Sequence, residues 1–148
     1  DRSSGRDRLQ GVLVIGETAR AANFSLIGYD RETNPQLAKI PDLITYSKVF
    51  SCGTATAQSV PCLFSGMARA NFDRQDALAR EGLLQILQRA GFPVLWRENQ
   101  GGCAGVCRGI PIELMDRAGT RSLFEMGESL DENLVKGLQQ KIDAMPGH

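Results

Sequence analysis

The residues with the clearest chemical potential are one carboxylate and two hydroxyls. Glu17 follows the apolar run Val12-Leu13-Val14-Ile15 after a single glycine, and Thr54 and Thr56 open a helical stretch behind a second β-rich segment. In open α/β sheets, ligands collect beyond the carboxyl ends of the strands. On that geometry Glu17 and the loop holding Thr54 and Thr56 project toward one rim. A carboxylate beside a hydroxyl there is half of a site for a hard cation or zinc. A threonine hydroxyl is a poor nucleophile until a base, a metal or a positive dipole helps it ionise. A helix N-terminus supplies dipole and backbone N–H groups, which also suit a bound phosphate. The plainer readings are a solvated rim carboxylate and a helix N-cap, and a nucleophile can itself occupy a cap.

Arg20, Arg31 and Arg97 are candidates for touching an anionic group, with solvated or salt-bridged arginine as the default. His148 is the only histidine and receives no catalytic role. The sequence holds no Gly-x4-Gly-Lys-Ser/Thr phosphate loop, no His-Glu-x2-His and no Gly-x-Ser-x-Gly elbow. The four cysteines fall in two close pairs, Cys52 with Cys62 and Cys103 with Cys107. Even, local pairing suits two short disulfide loops and an oxidising compartment. Buried reduced cysteines and a four-cysteine zinc site stay open as alternatives. Structural zinc prefers tighter Cys-x2-Cys pairs, and Cys103-x3-Cys107 also misses the redox spacing.

These residues need elements to position them. Residues 1–10 are charged and carry Ser3-Ser4-Gly5, which reads as a linker or mobile terminus. Residues 11–17 read as a buried strand. Residues 19–29 suggest a short helix leading into a loop that ends at Asn34-Pro35. Residues 43–50, rich in β-branched and aromatic side chains, suggest a second strand. A helix is expected over 56–64, with Pro61 as an internal complication. Leu83, Ile86, Leu87 and Ala90 repeat at helical spacing, and Gly91 provides the stop. Residues 92–96 suggest a third strand, followed by a glycine-rich loop over 100–109. A last helix starts from the capping-box pattern Ser129-Leu130-Asp131-Glu132 and presents Leu134, Leu138 and Ile142 on one face.

Strands alternating with helices predict an α/β fold, layered α/β/α around a largely parallel sheet. With three strands in 148 residues, the sheet reads as unfinished. The hydrophobic fraction of 42% and charged fraction of 23% fit one folded soluble region over residues 11–148. Lysine plus arginine equals aspartate plus glutamate at 17 each, so no bulk charge points to nucleic acid. The aliphatic run at 12–15 is far too short to span a bilayer. No signal peptide is visible and the first residue is Asp1, so any anchor or export signal is expected upstream.

Two longer stretches carry a resemblance. Val14-Ile15-Gly16-Glu17-Thr18-Ala19-Arg20-Ala21-Ala22-Asn23-Phe24, with Gly28-Tyr29-Asp30-Arg31 and Asn34-Pro35, resembles the opening motif of phosphoethanolamine transferases. Ser51-Cys52-Gly53-Thr54-Ala55-Thr56-Ala57-Gln58-Ser59-Val60-Pro61-Cys62 resembles the nucleophile segment of the same family. These enzymes modify lipid A and include the transferable colistin-resistance proteins. The similarity runs from Gly11 through Trp96-Arg97-Glu98-Asn99 and more weakly to the end.

The resemblance implies an alkaline phosphatase/sulfatase-like fold and a ping-pong transfer. Thr56 would take phosphoethanolamine from phosphatidylethanolamine and pass it to lipid A. Zinc would be the cofactor, with Glu17 and Thr56 among its ligands, lowering the threonine pKa and stabilising charge on the equatorial oxygens. Cys52–Cys62 and Cys103–Cys107 would be disulfides, and the whole protein would work at the periplasmic face of the inner membrane. A membrane domain is expected before Asp1, and further zinc ligands and substrate histidines after His148. The chain alone is therefore expected to be inactive and to bind zinc poorly.

Two departures stand out. Gly101 and Ala104 occupy positions that are often serine and lysine in relatives, so substrate recognition differs there or another residue such as Arg108 substitutes. A cysteine common before the last helix is missing around 124–129. Competing readings are a related phosphoglycerol transferase, phosphodiesterase or sulfatase, a transferase to a core sugar, and a non-catalytic exported binding module. Ser59-Val60-Pro61-Cys62 lacks the Cys/Ser-x-Pro-x-Arg pattern that a sulfatase nucleophile needs.

Overall fold

The computed structural model describes residues 10–16, 18–99, 101–115 and 131–146. The chain divides into two compact units, one of them Gly11–Ser51 and the other running from Cys52 onward. The smaller unit is built from turns. Single 3-10 turns occupy Ala21–Asn23, Ser25–Ile27 and Leu37–Lys39. A polar knot closes the loop between the first two turns and Pro35. The Thr33 hydroxyl donates to the Asn23 carbonyl at 2.6 Å and accepts from the Ser25 N–H at 3.0 Å, while the Ser25 hydroxyl accepts from the Thr33 and Asn34 N–H groups. Hydroxyls here do what a ladder would do in a strand.

The larger unit is organised by α1 (Thr56–Ser65), which ends on Gly66 in the left-handed region. Val60, Pro61 and Phe64 share its buried face. Val60 and Phe64 pack into a core with Leu84, Val106, Cys107 and Ile110. Trp96 meets Phe64 edge-on, with ring centroids 5.8 Å apart. Pro61 has no N–H to give the carbonyl four residues earlier. That carbonyl, on Ala57, instead accepts from Arg74 Nε at 2.9 Å. Arg74 begins α2 (Arg74–Ala79), whose N-cap Asp73 accepts from the Asp76 N–H at 2.8 Å.

The next helix, α3 (Leu83–Arg89), starts where Gln85 Oε1 accepts from the Gly82 N–H at 3.0 Å. Any Cβ on Gly82 would lie 2.9 Å from the Phe64 carbonyl oxygen, so glycine lets α1 and α3 approach. The helix closes with Phe92 N–H on the Leu87 carbonyl and Gly91 N–H on that of Gln88, both at 3.0 Å, the Schellman pattern. Strands β1 (Trp96–Glu98) and β2 (Ile112–Leu114) then pair in parallel, Trp96 opposite Ile112 and Glu98 opposite Leu114. Helices α4 (Glu132–Val135) and α5 (Leu138–Ala144) follow.

Several expectations shift. Residues 11–16 and 43–50 form no strand, because a strand exists through ladder bonds to a neighbour and only β1 and β2 pair among the described residues. Their side chains accordingly stay exposed, Val14 at 79% and Phe50 at 74%. The segment 19–29 forms two 3-10 turns rather than a helix. The strand expected at 92–96 starts at Trp96, where pairing begins, and β2 and α2 were not anticipated. The last helix is broken by Lys136 and by Gly137 at φ 64°, although Leu134, Leu138 and Ile142 all remain half-buried. Ser129 and Leu130 of its expected cap, the site of the missing cysteine, and residues 1–9 lie outside the described residues.

Arg97 fastens the sheet to the last helices. Its Nε donates to Glu113 Oε2 at 3.0 Å across the strand pair, and its Nη1 donates to the carbonyls of Leu134 and Lys136 at 2.8 and 2.9 Å. The Arg97 hydrogen bond holds the Glu113 carboxyl below its ordinary pKa of 4.5, aided by the charges of Arg97 and Lys141 and opposed by burial. A depressed folded-state pKa stabilises above the unfolded value, and that contribution is lost as pH falls through the folded value. Denaturant titrations should show stability falling in acid, with the Glu113→Gln variant losing part of that slope. Phe64→Ala should cost about 3–5 kcal/mol by the same measurement, since Phe64 is 3% exposed in the core.

Candidate functional site

Thr56 is the first residue of α1, and the N-cap is Ala55 with extended φ −94° and ψ 135°. Ala55 has no side chain that can cap, so Thr56 does not serve as the cap that the plainer sequence reading allowed. The turn before it is held from two sides. Cys52 is disulfide-bonded to Cys62 on the same helix, with the Cα atoms 6.2 Å apart. A Cβ on Gly53 would meet Gln58 Cγ at 3.0 Å, so the loop lies tight against the first turn. Gln58 and Ser59 both donate to the Ala55 carbonyl at 2.9 Å. Thr54, Ala55 and Thr56 are exposed while Val60 and Pro61 are buried. Thr56 thus sits on the exposed side of a fixed N-terminal turn, where the dipole favours an anion.

Glu17 lies outside the described residues, and its pairing with Thr56 stays an expectation. Among the described residues no three His, Cys, Asp or Glu side chains form a group that could hold a metal. All four cysteines are spent in disulfides, Cys52–Cys62 and Cys103–Cys107. The described residues therefore do not make up the zinc site that the resemblance implies.

The glycine-rich loop after β1 is shaped by its backbone. Gly101, Gly102, Ala104 and Gly105 have φ of 90°, 129°, 51° and 94°. The Glu98 carboxylate accepts from the Gly102 N–H at 2.5 Å. A serine at position 101 would be strained at that φ, so the loop is built for glycine. Ala104 is half-buried against the core rather than reaching outward. Arg108, the residue expected to substitute for the missing lysine, is exposed and reaches the end of α2. Its Nη1 donates to the Leu78 carbonyl at 3.1 Å and its Nη2 to the Arg80 carbonyl at 3.4 Å, bracing the end of α2. Arg97 is likewise committed to Glu113 and two carbonyls, whereas Arg20 and Arg31 are exposed in the smaller unit.

Sequence reasoning missed Arg74 and Gln85. The signal for Arg74 was Pro61, since a proline inside a helix always leaves a carbonyl to be matched. Gln85 Nε2 donates to the Val106 and Arg108 carbonyls at 2.9 Å each, tying α3 to the second disulfide loop. A cavity of about 20 Å³ lined by Pro61, Phe64, Leu78 and Gln85 has room for roughly one water and is no substrate site.

A core of helices around a parallel strand pair, with a hydroxyl on a helix N-terminus, fits the layered phosphoryl- and sulfuryl-transfer folds. The family model described as Sulfatase matches residues 10–147, and the chain belongs to that family. Its relatives are phosphoethanolamine transferases. The chain is 48% identical over 136 residues to phosphoethanolamine transferase EptA of Salmonella typhimurium, covering 92% of this chain and 25% of that protein. The soluble domain of lipooligosaccharide phosphoethanolamine transferase A from Neisseria meningitidis superposes with a TM-score of 0.79 at 41% identity, over 87% of this chain and 39% of that one. The integral membrane protein of the same name and organism gives 0.86 at 41% identity, over 97% and 27%. The chain thus spans about a quarter of the length of the curated relatives it matches. Among the described residues no helix is long and apolar enough to cross a membrane.

Cys52→Ser with Cys62→Ser should lower stability by about 2–3 kcal/mol, and opening the shorter Cys103–Cys107 loop should cost less. Thermal melts with and without reductant measure both, and the reductant should shift the parent protein but not the quadruple serine variant.

Proposed function

We propose that Thr56 is the nucleophile of a phosphoethanolamine transferase of which residues 11–148 are the N-terminal part of the catalytic domain and residues 1–10 a linker or mobile terminus. The observation that carries this is the place of Thr56 at the first position of a helix whose preceding turn is tied to it by a disulfide. The names of the relatives supply the reaction. Thr56 Oγ1 attacks the phosphorus of phosphatidylethanolamine, the bond to the diacylglycerol oxygen breaks, and diacylglycerol leaves with a proton. The phosphoethanolamine ester on Thr56 is then attacked by an oxygen of lipid A, the Thr56–phosphorus bond breaks, and the hydroxyl is restored. The helix dipole and first-turn N–H groups favour the anionic phosphorus centre. Zinc would supply further charge stabilisation, with Glu17 and Thr56 among its ligands, and the rest of that ligand set lies outside the described residues. The disulfides and the integral-membrane relative support a place at the periplasmic face of the bacterial inner membrane.

A second reading changes only the acceptor. Gly101 and Ala104 bring no hydroxyl or ammonium to the loop after β1, and Arg108 is held elsewhere, which favours recognition unlike that of the lipid A enzymes. Expression of the complete reading frame in a Gram-negative host, followed by mass spectrometry of lipid A, distinguishes the two. A mass increase of one phosphoethanolamine that disappears in Thr56→Ala is the expected outcome. An increase that survives Thr56→Ala removes the nucleophile assignment, and an unmodified lipid A beside a phosphoethanolaminated Thr56 moves the acceptor to another molecule.

A further inference from the structure

We propose that Arg74 is a positioning residue for Thr56, acting through the Ala57 carbonyl; the role rests on the nucleophile reading above. Pro61 lies five residues beyond Thr56 in α1, where every other residue type would donate to the carbonyl four residues earlier. That acceptor belongs to Ala57, the neighbour of Thr56. The pyrrolidine ring also crowds that carbonyl and turns it outward. Arg74 Nε fills the gap at 2.9 Å.

Arg74 is itself well placed to hold rather than follow. It is the first residue of α2, whose start is fixed by Asp73 accepting the Asp76 N–H at 2.8 Å. Asp76 in turn pairs with Arg80 at 3.1 Å, and the Arg80 carbonyl receives Arg108. The first turn of α1 is therefore tied to α2 by the Arg74 bond on the C-terminal side of Thr56, and the loop on the other side is tied back to α1 by the Cys52–Cys62 link. The guanidinium also brings a positive charge to the turn from which an anionic substrate would be attacked.

The test uses the full-length protein in detergent micelles with phosphatidylethanolamine, reading the phosphoethanolamine adduct on Thr56 by intact-protein mass spectrometry. Arg74→Met keeps the reach and removes the donor. It should slow adduct formation about tenfold at saturating donor with little change in KM, as a misaimed nucleophile does. Arg74→Lys, which can still donate to the carbonyl, should retain most of the rate. Pro61→Ala added to Arg74→Met returns an N–H to residue 61 and should recover the lost rate. An Arg74→Met protein at the parent rate overturns the proposal, as does an Arg74→Met/Pro61→Ala protein no faster than Arg74→Met alone. Rates are compared at matched melting transitions, and the Lys–Met contrast decides the matter if Pro61→Ala does not fold. An adduct that persists in Thr56→Ala overturns the nucleophile reading itself. That result is distinct from a protein that needs Thr56 and is indifferent to Arg74.

Discussion

The larger unit depends on the burial of one face of α1. Val60, Pro61 and Phe64 are the residues that must leave water, and a fully buried phenylalanine is worth about 2–3 kcal/mol in transfer alone. A net hydrogen bond contributes about 1 kcal/mol, so apolar burial decides where the helix lies and the polar contacts decide its register. Gly82 follows from this, because α3 comes within carbonyl contact of Phe64. So does Trp96, whose ring meets Phe64 and whose strand then meets β2. The exposed opposite end of α1, which begins at Thr56, is left to solvent by the same geometry.

Polar stitching does the work that regular structure does elsewhere. Between β1 and β2 the described residues 99 and 101–111 form no helix, which is unusual for a parallel connection. Among what holds them are a disulfide and several side chains: Gln85 on the Val106 and Arg108 carbonyls, Gln88 on that of Gly109, Arg108 on those of Leu78 and Arg80, and Glu98 on the Gly102 N–H. Each of these uses a side chain that could otherwise have faced a ligand. The left-handed residues Gly101, Gly102, Ala104 and Gly105 let the loop fold back on itself. The absence of serine at 101 is thus coupled to a backbone shape, and the loop cannot regain a hydroxyl there without strain.

What the sequence made legible tracks how local the determinants are. Helices α1 and α3 were readable because their signals, the turn before Thr56 and the periodicity and Gly91 stop of α3, all act within a few residues. The pairing segments were not. Val12 to Ile15 and the 43–50 run have strand-like composition, but a strand is defined by a partner, and β propensity reports fit to a half-buried surface rather than an intrinsic preference. Gly137 broke the last helix although its apolar spacing continued through Leu138 and Ile142. At the candidate site, the helix start at Thr56 was legible from its segment, while Arg74 lies seventeen residues from its partner and the chain announces it only through Pro61. Arg97 follows the default reading of a salt-bridged arginine, its partners being one carboxylate of the sheet and two carbonyls.

The charge balance sharpens what the site must do for itself. With equal numbers of acidic and basic residues, 17 of each, the chain carries no net charge to set up a broad positive field. Attraction has to be local, and at the surface it is screened over roughly 8 Å at physiological salt. Of the arginines in the larger unit, Arg97 and Arg108 are committed to carbonyls or a carboxylate, and Arg80 and Arg89 are paired with Asp76 and Glu81. Arg74 differs in that its bonded carbonyl belongs to the turn that carries Thr56. A neutral acceptor leaves the guanidinium charge uncancelled, whereas a carboxylate would neutralise it. A single carbonyl bond can therefore fix the turn and keep a positive charge beside it, which an ion pair at the same place could not do.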